Sequence, residues 1–416
     1  MDVSDHDRSV LRRQAEKQAE IASLPIQKQN AKDWSRLNTL QPGRPLIWIN
    51  EIPWNEMNVN DELTPQTEDP ALQGMEMAMR RTLYKWEHMP GDMVVDDYIA
   101  SPIAVRDTGF GIGEQVDIRR TDDTSNIVSR EFTSQIDGME DLEKIKTPEV
   151  TVDWEQTERN YELRCELFED ILPVRKTGVG HQWFAPWDFL VRWWDPEKAL
   201  MDLAMRPDLV HAAMDRLVNG YISKLDQHVE LGVLDLNNCN CRIGSGGLGF
   251  CDELPQDDFD PENVRPMDQW GCAAAQIFSE VSPKMHEEFA LSYERRWLGR
   301  FGLTYYGCCE PLHLKVDLLS SIPNLRKISM SPWVDPEIGA EKIGQDFVYS
   351  HKPNPAIFAD DLYNPEKGRR ELIDVLEKTR GCVVEIIMKD ISTVEYEPQR
   401  LWQWETMARE MAAEYA

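Results

Sequence analysis

The chain has 416 residues, with 45 Lys and Arg against 74 Asp and Glu, for a net charge of −29. That sign excludes nucleic acid and anionic membrane surfaces as partners and disfavours a bulky polycarboxylate substrate, because each needs a basic face to meet it. No run of about 18 apolar residues occurs, and the start Met1-Asp2-Val3-Ser4-Asp5-His6 lacks the basic and apolar regions of a secretory signal, so no membrane span and a cytoplasmic location are expected.

In chain order, mixed acid and base residues at helical spacing predict helices over 7–23 and 27–38, ending at Gln41-Pro42-Gly43. This is a helical N-terminal extension over 1–40, ahead of one domain over 41–416. The apolar run at 45–49, bounded by turn formers, predicts a first buried strand. A helix follows over 71–88, then a β-rich stretch over 94–106. The Gly, Asp and Thr-rich passage 108–129 is expected in hairpins or loops. Of the 14 tryptophans, Trp183, Trp187, Trp193 and Trp194 fall within twelve residues, which serves either extra packing or a flat aromatic-lined cavity.

The second half repeats one unit. An amphipathic helix over 208–231 stops at Gly232 and leads into a strand over 233–236. Helices near 283–298, 312–321, 336–343 and 366–379 precede strands at 303–306, 327–330, 347–350 and 383–388, and a last helix begins at Pro398. Such alternation requires a parallel sheet covered by helices. With no Gly-x-Gly-x-x-Gly opening a helix and no P-loop, the α/β fold expected is a single (β/α)8 TIM barrel.

In a barrel, the residues just after the strands share the catalytic face. Those positions hold Asn50 and Glu51; His181 and Trp183; Asn238, Cys239 and Cys241; Cys308, Cys309 and Glu310; Trp333; His351 and Lys352; Lys389 and Asp390. In Gly307-Cys308-Cys309-Glu310 the alternation puts Cys308 and Glu310 on one side, and thiolate with carboxylate suits zinc. Cys308 is the preferred ligand and Cys309 the second choice; the alternative is a pair of small buried side chains. Cys239 and Cys241 alternate in the same way, but the Gly-rich run 244–249 after them suggests a mobile active-site loop.

The passage Arg206-Pro207-Asp208-Leu209-Val210-His211 through Leu231-Gly232-Val233-Leu234-Asp235-Leu236 resembles the uroporphyrinogen decarboxylase superfamily. So do Ser331-Pro332-Trp333-Val334-Asp335-Pro336, Lys352-Pro353-Asn354-Pro355 and Glu397-Pro398-Gln399-Arg400-Leu401. The resemblance covers about residues 150 to 416. The decarboxylase of that superfamily grips its polycarboxylate with an arginine-rich motif. Here Asn50-Glu51-Ile52-Pro53-Trp54 stands after the first strand, so decarboxylation is disfavoured. The corrinoid-dependent methyltransferases carry zinc on a His-x-Cys and a late cysteine; this chain has Tyr306-Gly307-Cys308 and Lys389-Asp390, with Glu310 and Asp390 as replacement ligands.

Within that branch the chain looks most like the anaerobic O-demethylase methyltransferases. These move a methyl group from a phenyl methyl ether to the cob(I)alamin of a separate corrinoid protein. The resemblance implies Zn2+ on the ether oxygen. Trp183, Trp187, Trp333, Asn238, Asn50 and Glu51 would line the substrate pocket, and Lys389, His351 or Tyr305 would supply charge or a proton to the phenolate. Without an Asp-x-His-x-x-Gly motif, cobalamin is expected on the partner. Other readings are a methylcorrinoid-to-thiol or folate methyltransferase and a non-catalytic corrinoid or tetrapyrrole-binding protein. The oligomeric state stays open, a homodimer included.

Overall fold

The structure is a computed structural model that describes residues 3–119 and 129–415. Its strands are β1 (Leu46–Ile49), β2 (Ile99–Pro102), β3 (Val105–Asp107), β4 (Val116–Arg119), β5 (Ser129–Phe132), β6 (Val150–Val152), β7 (Val174–Thr177), β8 (Trp270–Ala273), β9 (Leu303–Tyr306), β10 (Leu325–Met330), β11 (Val348–His351) and β12 (Val383–Met388). Six form one parallel sheet in the order β1-β12-β11-β10-β9-β8. Right-handed crossovers between strands taken in sequence put every connecting helix on one face, and such a sheet curls as in a TIM barrel.

The hydrogen-bonded ladder is six strands, not the eight expected. β2 and β7 pair with each other outside it, and the strand expected over 233–236 is reduced to a single parallel bridge, Val179 to Leu234. Side chains span the seam to β8: Gln269 Nε2 donates to the carbonyl oxygens of Val179 and Asp235 at 3.0 and 2.5 Å. Asn237 adds a bond each way with the Trp270 backbone, at 2.9 and 2.7 Å. The short strand β4 falls within the passage expected in hairpins or loops and pairs antiparallel with β5, which begins at the passage's last residue; residues 120–128 lie outside the described residues.

Side chains alternate along the ladder. Tyr306, Ile328, Tyr349 and Ile386 pack under the helices in the main core, while Leu303, Tyr305, Val348, Val383 and Ile387 face inward. The two N-terminal helices, α1 (Asp5–Ala22) and α2 (Pro25–Asn38), form where the helical spacing put them. On α2, Trp34 and Leu37 pack against Leu46, Val348 and Val383 at the strand starts, closing that end of the sheet.

The interior is filled by a tongue, residues 239–250. Its arms meet at an antiparallel bridge between Arg242 and Leu248, and Ile243, Ser245 and Leu248 are buried. The glycines allow the fit: a Cβ on Gly247 would lie 2.2 Å from the Trp34 ring, and one on Gly244, at φ +56°, 2.5 Å from Tyr305. This run is therefore a packed element rather than the mobile loop expected. The tryptophan cluster also resolves toward packing. Trp187, Trp193 and Trp194 are buried, and the indole N–H of Trp187 donates to the Phe289 carbonyl at 3.0 Å. Among the described residues no helix is long and apolar enough to cross a membrane.

Candidate active site at the C-terminal mouth of the sheet

β1 and β12 are neighbours, and beyond both the chain turns through the left-handed region, at Glu51 (φ 53°) and Asp390 (φ 56°). Non-glycine residues hold that conformation only where surrounding contacts fix it. Here the Asp390 N–H donates to Glu51 Oε2 at 3.2 Å, and Arg242 of the tongue donates to Glu51 Oε1 at 2.9 Å. Lys389 continues the inward-facing series of Glu385 and Ile387 and is 3% exposed. Its ammonium lies 2.6 Å from Asp390 Oδ2, 3.6 Å from Glu51 Oε2, 3.3 Å from Cys308 Sγ and 3.7 Å from Cys309 Sγ.

The two thiols are 3.6 Å apart, and Cys309 Sγ is 3.4 Å from Asp390. Contact with the Cys309 thiol, aided by Lys389, holds Cys308 below the usual thiol range, while Cys309 is pushed up by the same contact. Burial opposes the charge on Lys389. The thiols, Asp390 and Glu51 outweigh it and hold that lysine above its ordinary value.

Beneath the mouth lies a second charged group. Lys327 donates to Glu385 at 2.8 Å, Ser350 donates to Glu385 at 2.5 Å, and Lys352 donates to Ser350 Oγ and Tyr305 OH at 2.6 Å each. Ser245 of the tongue joins it, 2.9 Å from Tyr305 OH. Burial, with repulsion from Lys389 and Arg242 set against the attraction of Glu385, pushes Lys352 down to about 7.

This fold is shared with a methyltransferase from Methanosarcina mazei. The likeness covers 93% of this chain and 99% of that one at a TM-score of 0.52, with 13% sequence identity. No protein-family model and no curated protein matches the sequence.

On the fold shared with that methyltransferase, the mouth brings together Lys389, Asp390, Glu51, Cys308 and Cys309 as strand-end position implied. Glu310 is close but turned away: its carboxylate accepts from the Cys308 N–H at 2.8 Å and the Ala275 N–H at 3.3 Å, and it is buried. Three of the expected residues do not reach the mouth. Tyr305 is buried beneath it, Trp187 is in the core, and His351 follows the outward-facing set. Among the described residues the His351 Nδ1 has no hydrogen-bond partner, and the residue lines a cavity of about 250 Å³ with Leu372, Val375 and Trp404 behind the sheet. Asn238 clamps a loop, donating to the Leu254 carbonyl at 2.6 Å. Asn50 extends the ladder, its N–H donating to the Met388 carbonyl at 2.9 Å. Trp183 is half-buried against the inward cluster of Tyr305 and Cys272, and Trp333, on the loop after β10, is 68% exposed. Lys352, a strand-end position, lies beneath the mouth; Arg242 was not singled out by sequence reasoning and is the lone cation ahead of the glycine run.

The donors meant for zinc do not fit it in this arrangement. Tyr306, standing where a histidine ligand would, faces the helices and donates to Glu294 at 2.7 Å. Glu310 is occupied by backbone N–H groups, and an ammonium sits among the sulfurs and Asp390. No group of three or more His, Cys, Asp or Glu among the described residues is placed to hold a metal ion.

Proposed function

We propose that this protein transfers a methyl group from a methoxylated aromatic compound to the cob(I)alamin of a separate corrinoid protein. The observation that carries the reading is the ammonium of Lys389, held at the mouth beside Asp390 and Cys308, on a fold shared with a methyltransferase. In such a transfer the bond between the ether oxygen and the methyl carbon breaks while a bond forms between that carbon and the acceptor's cobalt. The C–O electron pair stays on the oxygen. The barrier is the charge developing there, and a fixed cation or proton donor lowers it. Lys389 supplies the fixed cation: its ammonium keeps its proton and stabilises the phenolate oxygen as it leaves with the electron pair, and the phenolate is released to solvent. Trp183 and Trp333 offer flat apolar faces for the ring, and Glu51 with Arg242 orients Asp390.

The test is direct. Purified protein is incubated with chemically reduced cobalamin and a panel of methoxybenzenes, and methylcobalamin is followed by absorbance. The expected result is formation with at least one ether and loss of turnover in Lys389→Met. No product with any ether would overturn the reading.

A further inference from the structure

We propose that the cation of the Cys308, Cys309 and Asp390 cluster is the Lys389 ammonium itself, and that the mouth of this protein carries no metal ion. The inference concerns the site of the proposed reaction, but it rests on the donor arrangement alone. Three donors that could have shared an ion lie 3.3, 3.7 and 2.6 Å from one nitrogen, and Glu51 adds a fourth contact at 3.6 Å. The nitrogen is not a surface group folded in by chance. Strand alternation fixes Lys389 on the inward side of β12, and its side chain is only 3% exposed.

Charge bookkeeping agrees. Glu51 and Asp390 face Lys389 and Arg242, two carboxylates against two cations, so the ion pairs balance without a dication. A metal at the same sulfurs would bring two positive charges within a few ångströms of an ammonium that has nowhere to go, and in a partly dehydrated site that repulsion is steep. The further ligands a zinc ion needs are elsewhere: Glu310 on backbone N–H groups and Tyr306 on Glu294. In this site a fixed ammonium therefore stands where a Lewis acid would. Lys389 is the catalytic residue that meets the leaving oxygen, and Cys308 is a positioning residue that holds it.

The experiment uses the full chain. After chelator treatment and dialysis, bound zinc is counted by elemental analysis and added Zn2+ is titrated by calorimetry, for the wild type, Lys389→Met and Lys389→Arg, with thermal melts confirming that each is folded. Wild type and Lys389→Arg are expected to retain well under one zinc per chain. Lys389→Met, which leaves the thiols and Asp390 without their cation, is expected to bind zinc at least about tenfold more tightly than wild type. One zinc per wild-type chain that disappears in Cys308→Ser overturns the inference, as does a folded Lys389→Met chain with no gain in affinity. Absence of methyl transfer from every ether would end the proposed function while leaving these metal measurements intact. Should Lys389→Met fail to fold, the wild-type and Lys389→Arg stoichiometries decide.

Discussion

Lys327 and Glu385 are both fully buried, paired at 2.8 Å in the sheet interior, and each is tolerable there only because of the other. Removing one partner of such a pair leaves an uncompensated charge at a cost of about 3–5 kcal/mol. Glu385→Leu is expected to lose stability on that scale in urea unfolding, because it strands Lys327 and half-strands Lys352 together. Glu385→Leu combined with Lys327→Met should recover most of the loss. If the double variant is no more stable than the single, the pair is not the stabilising unit. At the mouth the same reasoning applies to function. Lys389→Met should lower turnover by roughly 10²–10³, the usual worth of one fixed donor at a developing oxyanion, and Lys389→Arg by less, since the charge is retained. Equal rates in all three chains would remove Lys389 from the chemistry.

Among the elements, the tongue is the most demanding. Its glycines touch Trp34, Tyr305 and Glu385 from inside the sheet, so Gly247→Ala must displace an indole ring seated under the strand starts. Overpacking of this kind costs about 1–3 kcal/mol, and a calorimetric melt indistinguishable from wild type would show that the tongue can move aside. This element was illegible in the sequence, because glycines that allow flexibility and glycines that allow close approach are written alike. The strands were legible where three or four β-branched or aromatic residues fell within one short run, as in β9 and β12. They were hidden where they did not: Trp270-Gly271-Cys272-Ala273 has no β-branched residue, and β8 went unread. Strand-end position found Cys308, Lys389 and Asp390 for the site. It failed for His351 because one residue of register separates the inward Ser350 and Lys352 from the outward histidine. It missed Arg242, which reaches the mouth from the tongue and not from a strand.

At the scale of the molecule, acid sensitivity follows from three buried histidines. Burial pushes His228 down to about 4 and His286 and His351 to about 3, from an ordinary 6.5. Between those values the unfolded chain takes up protons that the folded one refuses. The stability these groups contribute is complete above about pH 6.5 and is lost as pH falls toward 3. Melting temperature should therefore drop between pH 7 and pH 5, and less so in His351→Leu, whose ring nitrogen Nδ1 has no partner to lose. An acid limb equally steep in that variant would assign the effect to other groups.

The meeting of β1 with β12 has a consequence for synthesis on the ribosome. Glu51 and Asp390 touch across 339 positions of chain, and the ladder that aligns them joins residues 46–49 to 385–388. A nascent chain with its first strand already in the open has no partner for that edge until almost the last strand has left the exit tunnel. Contacts so distant in sequence form slowly. Every chain shortened before β12 lacks both Lys389 and the neighbour that holds Glu51. Translation must therefore pass residue 390 before the mouth exists, and a product stalled or clipped ahead of it lacks the site without a single side chain having been altered.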